Sequence, residues 1–168
     1  FLMAEPLAEE AGEKRLLSLI YFNIGHLYYP QNLNTQADST YRLAAQIGEK
    51  DPVLQASVLT QRGLIQMEKG EASYPEAEKM ILKALSIAEN SPNIRLKESV
   101  FTSLCLLYNW MENGEKAIEF AKRNLGVQAN PDTCYKAFEL LGSAYYQISQ
   151  YDSAHYYLQK ALPTKHFA

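Results

Sequence analysis

Apolar residues recur at intervals of three and four along most of this chain. Leu17, Ile20, Tyr21, Ile24 and Tyr28 form one such stripe. That spacing lines one face of an α-helix, and alternation of the strand kind is weak, so the pattern predicts amphipathic helices. A longer period lies over the short one. Ala37, Ala77, Ala117 and Ala154 stand at steps of 40, 40 and 37 residues. Each follows a turn, begins a helical stretch, and precedes an apolar residue about four positions on. A fixed period of roughly 20 to 50 residues is the mark of a solenoid, in which each unit buries its apolar side on the next.

The ends of the helices are written in prolines and turn residues. Asp51-Pro52, Ser91-Pro92 and Asn130-Pro131 each put a capping side chain before a proline, and Glu5-Pro6 is a weaker version. Proline suits the first helical position because its missing N–H would be unpaired there anyway. The preceding oxygen accepts from an orphan amide of the first turn. Breaks are expected at Asn32-Leu33-Asn34, Lys69 to Ser73, Asn113-Gly114 and Ser149-Gln150. Eight helices follow: A1 over about 7–30, B1 34–48, A2 52–69, B2 74–89, A3 92–112, B3 114–126, A4 131–148 and B4 151–162.

The spacing of large and small residues within each A–B pair resembles the tetratricopeptide repeat (TPR). Its pattern sets a large residue at repeat position 4, a leucine-like one at 7 and glycine at 8. Tyrosine follows at 11, alanine at 20, a bulky residue at 24 and alanine at 27. Phe138, Leu141, Gly142, Tyr145, Ala154, Leu158 and Ala161 match it. So do Tyr21, Ile24, Gly25, Tyr28, Ala37, Tyr41 and Ala44. The third repeat keeps Phe101, Leu104, Tyr108 and Ala117, but has Cys105 for the glycine, Ala121 for the bulky residue and Asn124 for the second alanine. The second keeps Gly63 and Ala77 yet places Arg62 and Gln66 at apolar positions, and a two-residue insertion enlarges its turn. The steps also exceed the usual repeat of about 34 residues. Small residues at both sites let the two helix axes approach, so the glycines are expected to face the alanines of helix B.

The resemblance implies an all-α, right-handed superhelical solenoid of about four antiparallel helix pairs. It covers residues 1–168 as one domain, with repeats at about 15–51, 52–91, 92–130 and 131–165. It further implies that the A helices line a concave groove that takes a protein or peptide segment. The inner-face positions are Phe22, His26 and Tyr29 in the first repeat and Thr60, Leu64 and Met67 in the second. The third supplies Thr102, Leu106 and Trp110, and the fourth Lys136 and Tyr146. The alternative is that these aromatics bury one another and the chain is a self-association or scaffold module, with a homodimer through the C-terminal helix. The last repeat also looks like the TPR regions of bacterial transcriptional or signalling regulators. It does not look like the chaperone-tail clamps. Their Lys and Asn pairs are replaced here by Phe22/His26, Thr60/Leu64, Thr102/Leu106 and Glu139/Ser143.

Composition narrows the chemistry. The net charge of −3 is spread over interspersed acids and bases, so nothing resembles the clustered basic face that nucleic acid needs. No apolar run reaches the roughly 18 residues of a membrane span. No glycine-rich phosphate loop, metal-spaced His or Cys pair, or nucleophile with its base can be assembled, so neither a cofactor nor an enzymatic activity is expected. His26, His155 and His166 are scattered, and the acidic stretch around Glu9, Glu10 and Glu13 reads as a solvated helix face. Cys105 and Cys134 read as small core residues, with a bridge or a reactive thiol as the alternative. The compartment, cytoplasmic or bacterial extracytoplasmic, stays open. The chain starts Phe1-Leu2-Met3, which suggests a piece of a larger protein. Helix B4 is expected to be covered by a continuation beyond Ala168 or by another copy.

Overall fold

A computed structural model describes residues 13–127 and 134–162, and among them eight α-helices and no strand. The helices are α1 (Lys14–Tyr28), α2 (Asn34–Ile47), α3 (Pro52–Met67) and α4 (Tyr74–Glu89). They are followed by α5 (Ile94–Trp110), α6 (Gly114–Val127), α7 (Tyr135–Gln147) and α8 (Tyr151–Ala161). They form four antiparallel A–B pairs in sequence order, an all-α helical-repeat fold. The chain divides into two compact units, Phe1–Ile87 and Ala88–Ala168.

Capping agrees with the sequence at α3 and departs from it at α5. Asp51 accepts from the Leu54 amide at 3.0 Å, with Pro52 as the first helical residue. Ser91-Pro92 does not start α5. Asn93 is its cap, accepting from the Leu96 amide at 3.1 Å, while the Ser91 hydroxyl accepts from the Asn93 amide at 3.1 Å. The proline therefore sits in the connection and the helix begins two residues later. The Glu5-Pro6 and Asn130-Pro131 signals lie outside the described residues.

A common device ends the A helices. Seven residues after Gly25, Gly63, Cys105 and Gly142 stand Asn32, Gly70, Glu112 and Ser149, all with positive φ, at 58°, 100°, 55° and 60°. In the first, third and fourth repeats the following amide reaches back across the turn: Leu33 to the Tyr28 carbonyl at 3.2 Å, Asn113 to Tyr108 at 2.8 Å, Gln150 to Tyr145 at 3.0 Å. This is the Schellman arrangement, which pairs carbonyls the helix end would leave open. The second repeat uses Gly70 and a 3₁₀ turn over Glu71–Ser73 instead, which is where its two extra residues go. Gly114 is not the turn residue of the third repeat. It opens α6, where a Cβ would lie 2.6 Å from the Ile148 side chain.

Each helix pair closes over a glycine, but the partner is not the alanine the sequence suggested. A Cβ at Gly25 would lie 2.5 Å from the Tyr41 ring, at Gly63 2.5 Å from Ile81, and at Gly142 2.5 Å from Leu158. The bulky residue of helix B thus lies across the glycine, and the alanine brings only its backbone near, as the Ala154 carbonyl does at 3.3 Å. The third repeat exchanges the sizes. Cys105 fills the glycine position and Ala121 the bulky one, and both are fully buried.

In the first unit α3 packs on α2. Leu54, Val58 and Ile65 share a core with Ala37, Tyr41 and Ala44. In the second unit the tyrosines stack between helices, Tyr108 on Phe120 at 5.6 Å and Tyr145 on Tyr157 at 5.4 Å. Cys105 and Cys134 are buried and unbridged, and burial pushes the Cys105 thiol up to about 12 against the opposing pull of Lys136.

Candidate functional site

The inner-face residues of the first unit form two small clusters. Phe22 is half-buried and meets the exposed His26 edge-on at 4.6 Å, and both rings contact Tyr41, at 5.5 and 5.6 Å. Lying against these rings lowers the pKa of His26, because desolvation disfavours the imidazolium. One turn on, Tyr29 donates its hydroxyl to Glu68 Oε1, and Asn34 donates to Glu68 Oε2 at 2.7 Å. Glu68 thereby ties the ends of the first two A helices. Burial first, then the Glu68 hydrogen bond and charge, raise the Tyr29 pKa.

Two of the inner-face positions are closed to a partner. Thr60 is fully buried and its hydroxyl bonds back to the Ala56 carbonyl at 2.8 Å. Met67 is 2% exposed. Both were expected on the groove surface, but on this helix they point into packed surroundings. Leu64 between them is half-buried.

In the second unit Thr102 and Leu106 are half-buried on α5. The Thr102 hydroxyl accepts from Asn124 Nδ2 at 2.7 Å, so the asparagine that departs from the alanine pattern is a buried tie between α6 and α5. Trp110 ends α5 with 49% exposure, and Tyr146, near the end of α7, is 65% exposed. Between them runs a hydrogen bond: Gln147 Nε2 donates to the Asn109 carbonyl at 2.6 Å. It fixes the ends of α5 and α7 side by side, and Trp110 and Tyr146 are the chain neighbours of its two partners. Tyr146 is further braced edge-on by Tyr151 at 5.6 Å. Lys136 pairs with Glu139 at 2.9 Å, both about half exposed, so its charge is already answered.

Sequence reasoning missed the polar ties. Arg62, noted only as a departure from the repeat, donates to Asp38 at 2.6 Å, and Arg42 binds the other oxygen of Asp38 at 2.7 Å. Burial raises the Asp38 pKa, but hydrogen bonds and charge from Arg62 and Arg42 outweigh it and leave the carboxyl below its usual range. A charged residue at an otherwise apolar position was the available signal. A cleft of about 820 Å³ lies elsewhere in the first unit, walled by Leu17, Ser18, Leu43, Ile47 and Pro52, with none of the inner-face residues on its lining. Among the described residues no cluster of three His, Cys, Asp or Glu could hold a metal ion, and no helix is long and apolar enough to cross a membrane.

Similarity to solved structures supports the architecture. BtubC (BKLC) from P. vanneervenii superposes with a TM-score of 0.74 at 21% identity, over 89% of this chain and 63% of that one. This chain therefore spans less than two thirds of that structure. MamA MSR-1 C2 superposes with a TM-score of 0.58 at 16% identity, over 94% of this chain and 90% of that one. At such identities the likeness shows the fold, a TPR-like helical repeat. No family model and no curated protein matches the sequence.

Proposed function

We propose that this chain is a tetratricopeptide-repeat module that binds a protein or peptide segment on the face of its A helices, within a larger regulatory or sensor protein. The observation that carries the proposal is the exposed pair Trp110 and Tyr146, held beside the Gln147–Asn109 hydrogen bond. Large aromatic rings left at a surface are anchors of the kind that dominate binding energy. Here their backbones are fixed in advance, so little ordering entropy remains to be lost on binding. Phe22, His26 and Tyr29 offer a second aromatic surface in the first unit. In this reading Leu64, Thr102, Leu106 and Lys136 are further contact residues on the A helices. Binding rather than catalysis is the activity in this reading, and it needs no cofactor.

The test is selection from a displayed peptide library, followed by calorimetry on the selected peptides. Trp110→Ala should weaken binding by about 30-fold, the equivalent of about 2 kcal/mol, with the melting curve little changed. Selected peptides whose affinity survives both Trp110→Ala and Tyr146→Ala would remove the basis for this site.

A further inference from the structure

Taking the face of the A helices as a peptide site, we infer that its first-unit part selects a segment carrying an arginine, whose guanidinium docks on Glu68 beside the rings of Tyr29, His26 and Phe22. Phe22, His26 and Tyr29 recur at helical spacing, so one side of the first A helix carries all three. These rings are held from behind. Phe22 and Tyr29 pack against the core that contains Tyr41, Val58 and Ile65, and His26 meets the Tyr41 ring edge-on at 5.6 Å. Every group named here belongs to the first unit.

Glu68 supplies the charge. It is exposed and stands directly after the last residue of α3. The Tyr29 hydroxyl donates to its Oε1 and the Asn34 amide to its Oε2, at 2.7 Å for the second. Both donors are neutral groups, and burial together with Glu68 itself keeps the Tyr29 phenol protonated. Among the described residues no Lys or Arg forms an ion pair with Glu68, its exposed chain neighbour Lys69 included. Leu19, Ser57 and Leu64 along the same face carry no charge. Burial lowers the pKa of His26, so at neutral pH it offers a neutral ring and no competing cation. The face thus presents one fixed negative charge in an aromatic setting, and the complement of that charge is a cation with an apolar stem.

The shape of the cation follows from what the carboxylate lacks. Each Glu68 oxygen accepts one hydrogen bond and keeps a second lone pair for a partner. Asn34 Oδ1 has no hydrogen-bond partner either, so the cluster is short of donors. A guanidinium brings parallel N–H donors in a planar fork that matches a carboxylate, and its plane stacks on aromatic rings. A lysine ammonium is a strongly hydrated point charge and does neither as well. The carboxylate is also set in place before a partner arrives. Tyr29 and Asn34 flank the turn that the Leu33 amide closes on the Tyr28 carbonyl at 3.2 Å, which cuts the ordering entropy lost on binding.

The experiment titrates acetyl-arginine amide and its neutral isostere, acetyl-citrulline amide, into the isotopically labelled 168-residue protein, followed by nuclear magnetic resonance. The arginine probe should shift the side-chain amide signal of Asn34 with millimolar affinity, and the citrulline probe should bind about tenfold more weakly. Glu68→Gln keeps the size of the side chain and removes its charge, so it should abolish the difference between the two probes. Circular dichroism checks that this variant folds, and the comparison of probes on the parent stands without it. Equal binding of the two probes to the parent overturns the inference. So does a preference for arginine that survives Glu68→Gln in the folded variant, or a lysine amide that binds as tightly as the arginine amide. Peptides that require Trp110 yet accept citrulline in place of arginine would also overturn it, while leaving the peptide-binding reading in force.

Discussion

The packing of α1 on α2 turns on the missing side chain at Gly25, and Gly25→Ala is the sharpest way to probe it. The added methyl would lie 2.5, 2.7 and 2.9 Å from three atoms of the Tyr41 ring. Tyr41 is 0% exposed, so its ring has nowhere to go, and the helices must separate instead. Overpacking of this kind costs about 1–3 kcal/mol, and an immovable ring places it at the upper end. Alanine in a helix interior returns about 1 kcal/mol through backbone entropy. The net expectation is a loss of about 2 kcal/mol. Two other glycines calibrate it. At Gly142 the Cβ meets Leu158, which is 43% exposed and can turn outward, so Gly142→Ala should lie within about 1 kcal/mol of the parent. At Gly126, in the last turn of α6, a Cβ meets nothing within 4 Å, so Gly126→Ala should stabilise by about 0.5 kcal/mol. Urea unfolding followed by circular dichroism would rank the three. A Gly25→Ala midpoint at or above that of Gly126→Ala would refute the reasoning.

Three further outcomes follow from the same structure. Glu112 holds φ 55° in the turn after α5, a conformation that costs a residue with a side chain about 1–2 kcal/mol. Glu112→Gly should therefore raise the urea midpoint, and a lower one would show that the side chain contributes more than the backbone strains. The folded pKa of Asp38 lies below its unfolded value of about 3.9, so its ionised form favours the folded state. That contribution is present above the unfolded pKa and lost as pH falls through the lowered folded value. Asp38→Asn should accordingly flatten the fall in stability across the acid range, and a slope equal to the parent's would argue against the Arg62 and Arg42 ties. Cys105, fully buried with its thiol raised to about 12, should react with an aromatic disulfide reagent at mildly alkaline pH only as fast as the protein opens. Modification at the rate of a free thiol would contradict its place in the core.

Much of the fold was legible because it is local. The three-and-four spacing of apolar residues sets helix faces, and proline, glycine and capping side chains act on the turn beside them. The helix ends therefore lie close to the expected ones, from Pro52 at the start of α3 to Ile47 at the end of α2. The glycine and bulky-residue registers were visible for the same reason, since each recurs once per repeat.

What only the tertiary structure decided depends on neighbours far along the chain. Gly25 had to be set against Tyr41, sixteen residues away, before the partner of each glycine was known. Arg62 looked like a flaw in the repeat until Asp38 stood opposite it. Thr60 and Met67 share a helix with the half-buried Leu64, yet surrounding side chains enclose the first two. Asn32, Glu112 and Ser149 adopt positive φ without being glycine, because the Schellman hydrogen bonds across each turn hold them there. Periodicity in a sequence assigns a residue to a helix and a face. Whether that face meets another helix or solvent is settled by packing between segments that the sequence keeps apart.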